Sequence, residues 1–183
     1  MLITLYKSIE SKGLHYREMW FNQERNIVVV HWGKVGFIGK SEEYSMSYEE
    51  AEKYSERFIL DSRKEGYDEF PEEELCTIVI QFPLKSNLGN KRDKWLGDKC
   101  SEYLQYHLSE RGLGYSEGAH IENKKLNIFC IVVDEERGVS SIKTCLKTYR
   151  LDLTHAIIVA RKWDDEDFRY KYSHKPIDNF SLI

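Results

Sequence analysis

The sequence contains no apolar run long enough to cross a membrane and only three prolines in 183 residues. The longest apolar runs, such as residues 27–30 and 128–133, have the length of strands. The first residues lack the basic region and the small-residue cleavage site of a signal peptide. We therefore expect a globular, cytoplasmic protein that does not contact a membrane.

Metal-binding and catalytic patterns are equally scarce. The four cysteines are far apart, form no Cys-x-x-Cys pair and have no histidine at zinc-ligand spacing. The sequence has no P-loop, no dinucleotide-binding glycine fingerprint and no nucleophile elbow. The acidic run 163–167 is typical of a solvated turn rather than of a calcium loop. We expect no metal, no cofactor and no enzymatic activity.

One glycine-rich segment, residues 114–120, combines a carboxylate with an imidazole. Glu117 and His120 are three positions apart, so a regular strand would point them to opposite faces. A bulge at Gly118 is the alternative that would bring them together. No nucleophile or orienting third group accompanies them, so an acid–base role is not expected.

The charge balance disfavours avid binding of nucleic acid. The formal net charge is −4, and residues 1–70 carry 10 basic and 13 acidic side chains. The rest of the chain carries 17 basic and 18 acidic side chains. Strong non-specific nucleic-acid binders have an excess of lysine and arginine, so any contact must depend on a local cluster.

Such a cluster surrounds residues 31–40, which read HWGKVGFIGK and follow the apolar strand 27–30. Three glycines within seven residues predict a tight turn in which φ is positive or the backbone approaches another surface. Residues 25–40 contain no acid, so an aromatic ring there can stack on a base or sugar while cations lie near phosphates. The alternative is a tryptophan that fills a small sheet core. The candidate nucleic-acid-binding residues are Arg25, Trp32, Gly33, Lys34 and Lys40.

The first seventy residues resemble the WGR domain family, a small β-rich module named for a Trp-Gly-Arg tripeptide. Here the tripeptide is Trp32-Gly33-Lys34, followed by Val-Gly and by Gly39, while LHYREM at 14–19 resembles the first core strand. Downstream, SYEEAE at 47–52 resembles the start of the family helix and KEGY at 64–67 its end.

The resemblance implies a binding role, because in DNA-damage-activated poly(ADP-ribose) polymerases this module helps to bind DNA ends and contacts neighbouring domains. The chain departs from the family at Lys34, which stands where the signature has arginine. Lysine lacks the planar fork of arginine, so a bidentate contact is not expected there.

Local patterns predict an α+β protein of two domains, with a boundary near residues 68–75. Domain 1–70 is predicted as an antiparallel meander of four strands near residues 3–7, 16–21, 26–31 and 40–44, followed by one helix. The helix begins at Ser47 with a capping box to Glu50 and ends at Gly66. The acidic, proline-bearing stretch 68–74 is typical of a linker.

Domain 76–175 is predicted to have the β-α-β-β-α-β order of a ferredoxin-like domain, an order that serves many unrelated functions. Its predicted strands are 76–84, 114–122, 126–134 and 155–163, its helices contain 91–111 and 139–149, and 168–173 is a further edge strand.

These observations favour a non-enzymatic, bacterial interaction protein. Its WGR-like module would bind nucleic acid weakly at ends or backbone, and its C-terminal domain would supply regulation or a second contact. The alternative is a protein–protein interaction module, such as a toxin-neutralising or regulatory protein, since an acidic protein suits a basic target. An enzyme acting at residues 114–120 is a third interpretation, and the oligomeric state stays open.

Overall fold

A computed structural model of the protein describes residues 1–176 and 180–182. The chain divides into two compact units: residues 1–70 with 110–112, and residues 71–109 with 113–183. Each unit combines an antiparallel sheet with helix, which confirms the predicted α+β class. No helix in the described part of the chain is both long enough and apolar enough to span a membrane.

The first unit is a four-stranded meander followed by a helix, as the sequence predicts. The sheet order is β1-β2-β3-β4, with every neighbouring pair antiparallel. Its elements are β1 (Leu2–Ile9), β2 (Gly13–Asn22), β3 (Ile27–Lys34), β4 (Lys40–Ser45) and α1 (Tyr48–Lys64).

The α1 helix begins with the predicted capping box. The Ser47 hydroxyl accepts from the Glu50 amide, and the Glu50 carboxylate accepts from the Ser47 amide at 2.8 Å. One helix face, which includes Ala51, packs on Met19 of β2 and Val28 of β3. That burial fixes which face of the sheet α1 covers.

The second unit contains a five-stranded antiparallel sheet in the order β6-β7-β5-β8-β9. Its elements are β5 (Cys76–Pro83), α2 (Lys91–Ser109), β6 (Gly114–Glu122), β7 (Lys125–Val132), α3 (Glu135–Thr148), β8 (Ile157–Lys162) and β9 (Arg169–Ser173). The order β-α-β-β-α-β is the predicted one, and β9 extends the sheet beyond β8. The ferredoxin-like assignment stays a prediction.

Both helices of the second unit lie on the same face of the sheet. A Cβ on Gly97 of α2 would contact Leu126, and one on Gly138 of α3 would contact Val132. Leu126 and Val132 are separated by an even number of residues on β7, so they point to one face. Among the described residues of the unit, neither α-helix packs on the opposite face of this sheet.

Two observed elements differ from the predicted ones. The predicted linker contains a 3-10 turn, Glu72–Glu74, closed by the Leu75 amide on the Glu72 carbonyl. Helix α2 ends at Ser109, two residues before its predicted end. The next residues, 110–112, belong to the first unit and end at Gly112 with φ of 57°.

Candidate nucleic-acid interface

Trp32 lies near the end of β3, on the face of the sheet that α1 covers. Val28 is in the core beneath α1, and β-strand alternation places Trp32 and Lys34 on the same face as Val28. The register puts Trp32 opposite Arg17 of β2 and opposite Lys40 of β4. Because directly paired residues share a face, the tryptophan has a cation on each side. Its ring is half-buried.

A second row of basic side chains follows two positions further along. Lys34 pairs with His15 of β2, and His15 pairs with Lys7 of β1. Burial and then the charges of Lys34 and Lys12 hold the pKa of His15 below its ordinary value. We call Lys7, His15, Arg17, Trp32, Lys34 and Lys40 the basic patch.

One acidic side chain orders part of the basic patch. The Glu65 carboxylate accepts from the Arg17 guanidinium at 2.5 Å, and this contact lowers the pKa of Glu65. The same guanidinium lies 4.5 Å from the centre of the Tyr67 ring. Lys7 donates to the Glu65 carbonyl and lies 5.6 Å from the Tyr67 ring. Arg17 is therefore held in place, and its charge is compensated by Glu65.

Arg25 does not join this patch. It lies in the β2–β3 turn, and Ile27, the first residue of β3, is already five positions or about 16 Å from Trp32. Its guanidinium donates to both oxygens of Glu43, at 3.0 and 2.8 Å. Glu43 pairs with Val29, so it lies on the face opposite Trp32. The sequence interpretation of three unopposed cations around Trp32 is corrected on this point.

The glycines of the signature turn are required by contacts within the first unit. A Cβ on Gly39 would overlap the Tyr16 hydroxyl and His31 Nε2, and one on Gly33 would lie 3.3 Å from the Tyr16 ring. Gly36 has φ of 90°, which disfavours other residues. The close approach predicted for this turn is real, and the surface approached is Tyr16.

The backbone amides of this turn are already engaged. The Gly36 amide donates to the Arg111 carbonyl at 2.9 Å, and the Gly39 amide donates to the Glu110 carbonyl at 3.0 Å. These donors are not available to a phosphate in this arrangement. At the tip of the turn, Phe37 and Ile38 are 57% and 67% exposed.

The opposite face of the sheet holds a buried polar network that the sequence analysis missed. Tyr16 Oη lies 3.0 Å from His31 Nε2, and His31 Nδ1 lies 2.9 Å from Glu18. The Thr4 hydroxyl donates to the other Glu18 oxygen at 3.1 Å. Burial raises the pKa of Tyr16. When β2 and β3 are aligned in register, Glu18 lies directly opposite His31. That pairing is the signal that would have found the network.

The other candidate groups considered from the sequence do not come together into a site in the described structure. A bulge lies between Ser116 and Gly118, which is the alternative raised for this segment, but His120 Nε2 approaches Glu122 at 3.4 Å. In the acidic run, Asp165 bonds Arg169. Among residues 1–176 and 180–182, no group of three or more His, Cys, Asp or Glu side chains is placed to hold a metal. All four cysteines are buried thiols.

The comparisons with known proteins identify one part of the chain. No curated protein and no solved structure gives a significant match. Residues 16–74 match the WGR domain family model. The match covers about a third of the chain, contains the tripeptide at 32–34 and includes the whole of α1. The N-terminal part of this chain is therefore similar to the WGR domain family.

Proposed function

We propose that the basic patch of the WGR domain binds nucleic acid weakly, at ends or along the backbone, without catalysing a reaction. The observation that carries the proposal is the pairing of Trp32 with Arg17 on one side and Lys40 on the other. An aromatic ring between cations suits a nucleotide, because the ring stacks while the cations lie near phosphates.

The charge distribution of the first unit supports a local and weak contact. Five of its acidic residues are on α1, which covers the same sheet face and so confines a nucleic-acid contact to the patch. Glu65 compensates Arg17 within the patch, which leaves Lys34, Lys40 and Lys7 as the cations best placed for phosphates. With a few phosphate contacts, the binding constant falls steeply as salt rises. For duplex DNA, log K falls against log salt concentration with a slope of about −0.9 per phosphate contact.

Trp32 contributes through the part of its ring that remains accessible. A base or sugar stacked on an aromatic side chain contributes about 1–3 kcal/mol. Because Trp32 is half-buried, we expect the lower part of that range.

Fluorescence anisotropy with a labelled short duplex, a nicked duplex and a single strand tests the proposal. We expect weak binding at low salt that disappears as salt rises. A folded protein that binds none of the three at low salt would contradict the proposal. Trp32→Ala and Lys34→Glu should each weaken the binding.

A protein partner is the second candidate, and one observation favours it. Phe37 and Ile38 are exposed at the tip of the turn, and Lys34 Nζ lies 5.6 Å from the Phe37 ring. Neighbouring exposed apolar side chains mark protein contacts more often than phosphate contacts. A pull-down whose partner is lost by Phe37→Ser and retained by Lys40→Gln would favour this role, for example in neutralising a toxin.

We also propose that the protein lies in the bacterial cytoplasm and that its second unit, residues 71–109 with 113–183, supplies regulation or a second contact. Fractionation of the native cells, with detection of this chain in the soluble fraction, tests the location.

A further inference from the structure

The helix-free face of the C-terminal sheet has a polar centre. Gln81 of β5 pairs directly with Asn127 of β7, and the two side chains are only 5% and 2% exposed. Their neighbours on this face include Val79 and Val159, both fully buried, and the polar His120 and Lys125. Two buried amides at the middle of the sheet need partners, because a buried unpaired amide is costly.

Residues 180–182 supply those partners through their backbone. Gln81 Nε2 donates to Asn127 Oδ1 at 2.8 Å and to the Ser181 carbonyl at 3.0 Å. Asn127 Nδ2 donates to the Leu182 carbonyl at 3.0 Å. Two successive carbonyls are thus recognised by two paired side-chain amides, whatever side chains those residues carry.

Neighbouring side chains add selectivity to this backbone recognition. Lys125 Nζ donates to the Ser181 carbonyl at 3.0 Å and to its hydroxyl at 2.6 Å. Phe180 meets the rings of Phe168 and Tyr170 edge to face, at 5.6 and 6.4 Å between centroids. The ring contacts favour an aromatic residue at the first position of the segment. The side-chain amides bind the backbone carbonyls of the next two residues.

We propose that this face is a binding site for an extended segment of a partner polypeptide, and that residues 180–182 occupy it in cis. The site recognises an aromatic side chain and the next two carbonyls, which is the chemistry of extended-peptide binding. A tethered occupant has an effective concentration in the millimolar range, so the partner segment must displace it.

A peptide added in trans tests the proposal on the full chain. The probe is a labelled peptide of residues 174–183, HKPIDNFSLI. Phe180→Asp places a charge among aromatic rings and should release the cis segment. We expect this variant to bind the peptide at least tenfold more tightly than the unaltered chain does.

Substitutions on the sheet and in the peptide supply the controls. Gln81→Leu with Asn127→Leu, added to the released variant, should abolish binding, whereas Gln23→Leu in an exposed turn should not. A peptide with alanine in place of Phe180 should bind at least tenfold more weakly. A folded released variant that does not bind the peptide, or binding that survives the double leucine substitution, would overturn the proposal.

A second measurement covers the case in which Phe180→Asp does not fold. The backbone amide resonances of Ser181 and Leu182 can be followed by NMR in the isotopically labelled, unaltered chain as the unlabelled peptide is added. Millimolar peptide should move both resonances, because the labelled cis segment leaves the site when the peptide takes its place. Resonances that stay in place at saturating peptide would contradict the proposal.

Discussion

Trp32 and Arg17 pair directly across β3 and β2, with both side chains on the sheet face that α1 covers. Arg17 is fixed there by the Glu65 carboxylate and by the ring of Tyr67. The direct cross-strand neighbours of the tryptophan are therefore cations from two other strands, Arg17 of β2 and Lys40 of β4. The tripeptide at residues 32–34 supplies only the central residues of the basic patch.

Gly39→Ala should destabilise the first unit through steric overlap alone. The added methyl would collide with the Tyr16 hydroxyl and with His31 Nε2, so we expect a loss of about 1–3 kcal/mol in the free energy of unfolding. Urea denaturation followed by fluorescence measures it. Gly33→Ala is the matched control, because its methyl would meet the nearest atoms only at 3.1 to 3.3 Å. A smaller loss for Gly39→Ala than for Gly33→Ala would contradict the described packing.

His31→Phe should show that the buried network stabilises the fold. The substitution keeps the ring but leaves Glu18 and the Tyr16 hydroxyl each without one buried partner. Each unsatisfied group costs about 1–3 kcal/mol. Arg25→Gln, which breaks the exposed pair with Glu43, is the comparison and should cost at most about 1 kcal/mol. Equal losses for both variants, measured by chemical denaturation, would refute the assignment.

Limited digestion with a glutamate-specific protease tests the predicted boundary near residues 68–75. Glu72, Glu73 and Glu74 are exposed and form a single 3-10 turn, so the first cuts should fall there. Mass spectrometry of the early fragments identifies the site. If the first cuts fall inside α1 or β5 instead, the boundary is wrong.

The sequence predicts the elements well, because capping and alternation are local signals. Ser47 and Glu50 cap α1 as expected, and the β-α-β-β-α-β order of the second unit is found. The basic patch is only partly predictable, since Lys7 and Arg17 join Trp32 through strand register. Arg25 is close to Trp32 in sequence, yet strand length carries it to the far end of β3.

The buried thiols should resist alkylation well above neutral pH. Burial raises the pKa of Cys76 to about 12, with a contribution from Glu135, and burial likewise raises that of Cys100 to about 12. An unfolded thiol ionises near pH 8.5, so above that pH the folded chain holds protons that the unfolded chain has lost. The free energy of unfolding should therefore fall as pH rises from about 8.5 towards 12.

Iodoacetamide labelling at pH 8.5, with and without denaturant, tests the same pair of thiols. We expect labelling of Cys76 and Cys100 only in denaturant. Rapid labelling of either thiol in the folded chain would show that it is accessible and would contradict the burial.

The salt dependence of nucleic-acid binding tests the central claim most directly. Lys34→Gln and Arg25→Gln each remove one positive charge, but only Lys34 lies on the face of Trp32. For duplex DNA, Lys34→Gln should make the negative slope of log K against log salt less steep by about 0.9. Arg25→Gln should leave both the slope and the affinity unchanged. A Lys34→Gln variant with an unchanged slope, or an Arg25→Gln variant with an equal loss, would contradict an interface at the basic patch.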